Sequence, residues 1–306
     1  MARNQRSFCG RLRSLVARLC RPKQPDIAPA PNSAPAVAMS SASDSGASLP
    51  ANGHGTAAPF ICVPLYIYPA PGAWGPLVRA ARARPDARFH AIVNPCNGPG
   101  ADALPDVNYR EAIRELASLP NVTVLGYVHV TYGKRDAAEV RRDVEKYAAW
   151  RGFDDGLRVD GVFFDEAPAD VGMVGYMASV SRCARRGLRA TNGTRGLVML
   201  NPGVVVPRAY YEFADHVVAF EQALGHWKSV RSEFMEAMAG GVAAKTVVMV
   251  HSCRAGDRDL EKLACGFRDA GVLGQYVTEQ MEGGYSEWSS SWDRYVGFVF
   301  AGGESC

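Results

Sequence analysis

The chain has 306 residues, 47% hydrophobic and 21% charged, with 31 Gly and 19 Pro. These proportions belong to a globular protein and exclude collagen, coiled coil and full-length disorder. No run approaches the ~18 consecutive apolar residues of a membrane span, and a net charge of +3 is too balanced for a nucleic-acid-binding body.

The charge is unevenly placed. Residues 1–25 hold six Arg, one Lys and no acid, about +7, which leaves −4 for the remainder. Phe8, Leu12, Leu15, Val16 and Leu19 fall at helical spacing, with Arg11, Arg13, Arg18 and Arg21 on the other faces. Residues 8–21 therefore predict a short basic amphipathic helix suited to weak contact with an anionic membrane surface, and Cys9 and Cys20 are candidates for lipidation. The bland alternative is a solvated basic arm. Arg interrupts every apolar run, so no secretory h-region is expected and the reading is cytoplasmic or membrane-peripheral. Residues 27–58 are mostly Ala, Pro, Ser, Gly and Asn and cannot bury enough surface to offset the entropy of ordering. Residues 1–58 are thus expected to be a disordered tail and 59–306 the folded domain. The eight cysteines contain no C-x-x-C pair, which supports neither zinc nor a compact disulfide scaffold. Most read as buried small hydrophobes in a reducing interior. Sequons occur at Asn121 and Asn192; the first opens a buried strand.

Eight short apolar runs follow the tail: Ile61–Tyr68, Phe89–Asn94, Val122–Val130, Val159–Phe164, Leu197–Leu200, His216–Phe220, Thr246–Val250 and Val272–Val277. Their near-continuous hydrophobicity marks strands covered on both faces. Helical stripes lie between them, at Trp74–Ala81, Ile113–Ala117, Val140–Ala148, Val174–Cys183, Val230–Met238 and Leu260–Phe267, with one turn around Tyr210 after the fifth run. Strand–helix alternation implies a parallel sheet with right-handed crossovers. Eight repeats in a span close to the ~250 residues typical of the fold predict a single (β/α)8 TIM barrel, class α/β. No G-x-G-x-x-G follows the first strand, which removes the main open-sheet dinucleotide reading.

In such a barrel chemistry collects where strands end. The ends read Tyr68, Asn94, His129, Asp165 with Glu166, Asn201, Glu221, His251, and Thr278 with Glu279. Strands four and six direct Asp165 or Glu166 toward Glu221 across one mouth. Glycoside hydrolysis needs such a carboxylate pair, one to protonate the leaving oxygen and one to stabilise or attack the anomeric carbon. Desolvation by Phe163, Phe164 and Phe220 would hold the two pKa values apart. Each residue has a structural alternative. Asp165 would serve as well binding N–H groups at the next helix, Glu221 in an ion pair, and His129 and His251 as hydrogen-bonding walls. Glu166 would point away unless the strand has already ended. Aromatics suit the C–H faces of sugars. Tyr66, Tyr68, Trp74, Tyr127 and Tyr132 lie at or just after strand ends and Tyr285, Trp288 and Trp292 follow the eighth, with core packing as the alternative for several. Tyr132 and Trp288, in Gly- and Ser-rich loops, are expected at the mouth.

Val63-Pro64-Leu65-Tyr66-Ile67-Tyr68-Pro69, Val93-Asn94-Pro95, Gly126-Tyr127-Val128-His129, Val159–Glu166, Asn201-Pro202-Gly203 and Phe220-Glu221 together resemble the spherulin-4 (spherulation-specific) family over roughly residues 60–300. That family is associated with glycoside hydrolase family 135, barrels whose known activity is endo-cleavage of α-1,4-linked N-acetylgalactosamine in fungal exopolysaccharide. The resemblance implies catalysis by Asp165, as nucleophile or stabilising carboxylate, and Glu221, as general acid/base, supported by Glu166. Tyr68, Asn94, Tyr127, His129, Tyr132, Asn201, His251 and Trp288 would bind the polysaccharide or oligosaccharide substrate. The segment Asn94–Gly100 departs from the family by placing Cys96 where a polar residue is expected, and an extracellular substrate sits uneasily with the missing signal. No cofactor or nucleic-acid partner is expected, and the chain reads as a monomer. Two rival readings stand: a non-catalytic carbohydrate-binding or stress-associated barrel, and a metal-dependent hydrolase using His129, Asp165, Glu166, Glu221 and His251. The latter lacks the usual H-x-H on the first strand.

Overall fold

The computed structural model describes residues 58–154, 156–188, 195–239, 241–280 and 284–301. The predicted helix at 8–21, the rest of the tail to residue 57 and the sequon at Asn192 lie outside them. Eight parallel strands close into a barrel in sequence order. They are β1 (Phe60–Leu65), β2 (Arg88–Val93), β3 (Val122–His129), β4 (Gly161–Asp165), β5 (Leu197–Leu200), β6 (His216–Ala223), β7 (Thr246–His251) and β8 (Gly274–Val277). The helices are α1 (Gly75–Ala83), α2 (Val107–Ala117), α3 (Ala137–Phe153), α4 (Val174–Gly187), α5 (Ala209–Phe213), α6 (Leu224–Met238), α7 (Asp257–Asp269) and α8 (Trp292–Val299).

All eight predicted runs are strands, and each helical stripe lies in or against a helix. Three differences have physical reasons. The first strand stops at Leu65, and Tyr68 lies three residues beyond it. Helix α6 begins six residues before the predicted stripe, where Trp227 supplies an apolar contact the pattern did not count. Helix α8 was not expected; its Trp292 and Tyr295 are buried, and the Trp292 indole N–H donates to the Pro76 carbonyl at 3.3 Å, so it covers the seam beside α1.

Strand alternation sorts side chains between the barrel interior and the helices. A Cβ on Gly126 would lie 2.7 Å from the Tyr147 ring of α3, so Gly126 permits that helix to approach, while Tyr127 turns inward. The same parity turns Phe163 and Asp165 inward and Phe164 outward. Strand β6 breaks parity: its register against β7 jumps between Val218 and Phe220, leaving Ala219 as the extra residue of a β-bulge. Phe220 thereby faces outward, its ring 5.0 Å from Trp227 and 6.2 Å from Phe234. The next residue, Glu221, faces the mouth. Phe164 and Phe220 therefore do not shield the carboxylates as expected; Phe163 does, together with the tyrosines described below.

The opposite end of the barrel is tied by polar residues that precede strands. Asn121 Nδ2 donates to the carbonyls of Ala81, Arg84 and Ala87 at 2.9–3.0 Å, so its amide is committed to the fold. Asp160 accepts from the Val124 N–H at 2.9 Å and Asp215 from the Val198 N–H at 2.8 Å. Cys62 and Cys253 are buried free thiols and Cys183 is a half-buried one, whereas Cys96 and Cys265 are disulfide-bonded. The expectation of buried hydrophobes holds for Cys62, Cys253 and Cys265, while the disulfide bonding of Cys96 and Cys265 departs from the reducing interior expected.

Candidate active site

Tyr127, Asp165, Asn201 and Glu221 form one hydrogen-bonded network at the C-terminal mouth. Asn201 directly follows β5, and its Nδ2 donates to Asp165 Oδ1 at 2.8 Å and to Glu221 Oε2 at 2.7 Å. The two carboxylates are thus bridged by a single amide group. Tyr127 Oη donates to Asp165 Oδ2 at 2.7 Å, and Tyr285 Oη donates to Glu221 Oε1 at 2.7 Å. Glu221 is positioned by its backbone as well as by the bulge. Gly203 donates to the Val218 carbonyl at 3.1 Å and accepts the Glu221 N–H at 3.2 Å, an approach made in the left-handed conformation (φ 66°) that glycine favours.

Every donor in this network is neutral. Burial raises Glu221 above its ordinary range, against the lowering effect of the Tyr285 and Asn201 hydrogen bonds. Burial and the neighbouring charge of Glu221 push Asp165 up to about 7, the Tyr127 hydrogen bond opposing. A buried pair of like charges cannot both ionise cheaply, so the pair retains a proton near neutrality. The alternative role for Asp165, at a helix N-terminus, is not what the structure shows; Asp170 makes that contact, accepting from the Gly172 N–H.

The other predicted residues are distributed around this core. Glu166 follows β4, buried and with φ 53°, so the strand has ended and Glu166 is released from strict alternation; its carbonyl accepts the Tyr132 N–H at 2.7 Å. Tyr132 is 38% exposed beside it. His129 is engaged by Arg135, whose Nη1 lies 3.2 Å from Nδ1 and 3.0 Å from the His129 carbonyl. His251 is buried with Nδ1 3.0 Å from Ser252 Oγ. Asn94 Oδ1 accepts the Gly98 N–H at 2.9 Å and closes its own loop. Tyr68 stands on the outer rim, accepting from Asn108 Nδ2 at 2.8 Å and packing edge-on to Tyr109. Trp288 is half-buried, spends its indole N–H on the Ala73 carbonyl at 2.7 Å and packs on Trp292. It is a strut rather than a free platform. Among the described residues no group of three or more His, Cys, Asp or Glu side chains gathers as a metal cage.

Two tyrosines that count among the strand-end aromatics but lie outside the expected substrate-binding set belong to the site. Tyr285 comes from the segment after β8, and Tyr66 lies between Tyr127 and Tyr285, with ring centroids 5.8 and 5.9 Å away. Strand parity running on from Phe60, Cys62 and Pro64 would have selected Tyr66 over Tyr68. Nothing local singles out Tyr285 from Trp288 and Trp292.

A closed (β/α)8 barrel with two carboxylates bridged at its C-terminal mouth has the architecture of glycoside-hydrolase-like barrels. The model of Spherulation-specific family 4 matches residues 60–299, and the chain belongs to that family. Spherulin-4 of Physarum polycephalum is 32% identical over 169 residues, 55% of this chain but 46% of its own length, so the match spans about half of that relative. Among solved structures, Aspergillus clavatus Sph3 in complex with GalNAc is 33% identical, with a TM-score of 0.72 over 80% of this chain and 99% of its own.

Proposed function

We propose that the protein hydrolyses glycosidic bonds of a hexosamine-containing polysaccharide, acting within chains of α-1,4-linked N-acetylgalactosamine or galactosamine, without a metal. The observation that carries this reading is the Asn201 amide joining Asp165 to Glu221, each carboxylate held by one further tyrosine hydroxyl. The similarity to Sph3, solved with GalNAc, supports the sugar class. Neutral hydrogen-bond donors orient the carboxylates without fixing both as anions, which is what paired proton transfer requires.

In the proposed reaction one carboxyl gives its proton to the glycosidic oxygen as the anomeric C–O bond breaks. The other carboxylate meets the developing positive charge at the anomeric carbon, water supplies the new C–O bond, and the water proton returns to the pair. Burial raises both carboxyls, so the resting proton belongs to the pair. The resemblance gives the acid/base role to Glu221 and the nucleophilic or stabilising role to Asp165. Glu166 adds charge at the same rim. The disulfide-bonded Cys96 and Cys265 support action in an oxidising compartment, in keeping with an extracellular polymer.

The test is product analysis by mass spectrometry after incubating the full chain with α-1,4-linked galactosaminan of graded acetylation, chelator present. Oligosaccharides released by the wild type and absent with Asp165→Asn and Glu221→Gln are expected. A folded wild type that releases nothing while still retaining the polymer in affinity electrophoresis would make the barrel a binding protein.

A further inference from the structure

The loop that leaves β3 at the mouth is held in an unfavourable backbone conformation. Thr131, Tyr132 and Gly133 are left-handed in succession, with φ of 49°, 54° and 77°, and a β-branched residue adopts that region only where its surroundings impose it. Three backbone hydrogen bonds impose it. The Val130 N–H donates to the Asp165 carbonyl at 2.9 Å, the Tyr132 N–H to that of Glu166 at 2.7 Å, and the Arg135 N–H returns to the Val130 carbonyl at 3.3 Å. The turn carries the Arg135 guanidinium, only 16% exposed, back onto the strand it has just left. There Nη1 donates to the His129 carbonyl at 3.0 Å and lies 3.2 Å from His129 Nδ1. From α3, Asp143 pairs with Nη2 at 2.6 Å and Glu139 with Nε at 3.7 Å. The Arg135 carbonyl accepts the Tyr176 hydroxyl of α4 at 2.8 Å.

A guanidinium only donates. His129 Nδ1 is therefore the acceptor, and the ring carries its proton at Nε2, its end farther from the backbone. His129 and Asp165 are register partners on β3 and β4 and face the same side of the sheet, the barrel interior. We infer that Arg135 is a positioning residue of the carboxylate site: it fixes His129 as the neutral Nε2–H tautomer, a donor to an oxygen of the sugar held at the pair. An imidazolium here would set one N–H against another at Arg135. Beside Asp165 it would also fix that carboxylate as an anion, as Arg158 and Arg185 fix Asp160 and Asp215 at the base. Asp165 and Glu166 across the strand pair favour the imidazolium, and Asp143 and Glu139 offset the Arg135 charge. What keeps the ring neutral is thus the direction of the Arg135 hydrogen bond rather than charge repulsion. The inference takes its reaction from the proposed glycan cleavage, while its tautomer rests on the loop geometry alone.

The test reads the tautomer apart from turnover. Two-bond proton–nitrogen correlation spectra of the histidine-labelled full chain, at about pH 7, distinguish Nε2–H, Nδ1–H and doubly protonated rings. His129 is assigned by the signals that His129→Leu removes. The wild type should show Nε2–H. Arg135→Met, which cannot donate, should move the ring to Nδ1–H or to the doubly protonated form, and Arg135→Lys, which still donates, should keep the wild-type pattern. On galactosaminan, Arg135→Met should lower kcat/KM roughly tenfold. Added to His129→Leu it should cause less than about a twofold further loss, because it acts through that ring. A wild-type ring protonated at Nδ1 or on both nitrogens, an unchanged pattern in folded Arg135→Met, or additive losses in the double variant would overturn the inference. Should Arg135→Met fail to fold, the wild-type and Arg135→Lys patterns decide, since any ring other than Nε2–H in either is fatal. Cleavage of galactosaminan by a chain whose His129 shows another tautomer defeats this inference and leaves the glycosidase reading standing. The expected tautomer in a chain that cleaves no polymer defeats that reading and leaves the hold of Arg135 on His129.

Discussion

The two ends of the barrel hold buried carboxylates in opposite ways. At the base, Asp160 and Asp215 each accept a backbone N–H and sit beside a guanidinium, Arg158 at 3.5 Å and Arg185 at 2.8 Å. At the mouth, Asp165 and Glu221 receive side-chain hydrogen bonds from two tyrosines and one asparagine. A cation fixes a carboxylate as an anion and makes it a structural tie. A neutral donor orients it while burial keeps its proton within reach. Partner chemistry, more than burial, separates the structural acids at the base from the pair proposed to react at the mouth.

The largest effect follows from removing the mouth's acids. Asp165→Asn and Glu221→Gln should each lower kcat/KM on galactosaminan by about 10³-fold or more, measured by reducing-end release. The same Asp165→Asn change should raise the melting temperature at pH 8. The Asp165 pKa is raised from 3.8 to about 7 on folding, so its contribution to stability is full below pH 4 and lost as pH rises through 7. A neutral amide escapes that loss. A variant both inactive and less stable at pH 8 would mean the mouth carboxylate is a structural tie after all.

The base should behave in the reverse manner. Asp160→Ala strips a buried partner from Arg158 and from the Val124 N–H, and should cost about 3 kcal/mol in urea denaturation. Its kcat, measured on the folded fraction, should stay near wild type. Loss of kcat without loss of stability would break the division between the two ends.

Much of this division is legible in the sequence, and what is hidden has physical causes. Continuous apolar runs disclose strands covered on both faces, and their polar terminators disclose the mouth, so Asp165, Asn201 and Glu221 are read correctly as neighbours. Glu221 is nonetheless read for an incomplete reason. The sixth run does not end at Phe220; it continues to Ala223, and only the bulge at Ala219 turns Glu221 inward. A bulge leaves no mark in a hydrophobic pattern. Tyr285 reaches Glu221 across 64 positions of sequence, a contact set by barrel closure rather than local spacing. Trp288 misleads for the converse reason, since an aromatic in a polar loop looks exposed until its N–H finds the Ala73 carbonyl.

Tyr285 offers an intermediate test. Its hydrogen bond lowers the Glu221 pKa against the raising effect of burial, so Tyr285→Phe should lift that pKa. The kcat/KM–pH profile should move to higher pH, with activity at its optimum reduced roughly tenfold. An unchanged profile would separate Tyr285 from the carboxylate pair.

The smallest effect sets the two ends against each other in pH. Near the base, His90 stacks on Phe60 at 4.1 Å and lies 5.2 Å from His216, with both His90 ring nitrogens and His216 Nδ1 buried and unpartnered among the described residues. Burial, with the neighbouring His216 and Arg88 adding to it, holds His90 well below the ordinary histidine range. Burial lowers His216 to about 4, Asp215 opposing. Between pH 6.5 and 4 the unfolded chain therefore takes up protons that the folded chain refuses, and stability falls as the solution is acidified. Asp165 works the other way over the same window, because the folded chain takes up its proton first. Near pH 5 two histidines oppose one carboxyl, so the histidines set the direction and Asp165 partly offsets them. Urea midpoints from pH 6.5 to pH 5 should consequently fall more steeply in Asp165→Asn than in wild type, while His90→Leu should flatten the fall. Parallel pH dependence in all three proteins would show that neither buried group changes its protonation on folding, and the contrast between mouth and base would then rest on geometry alone.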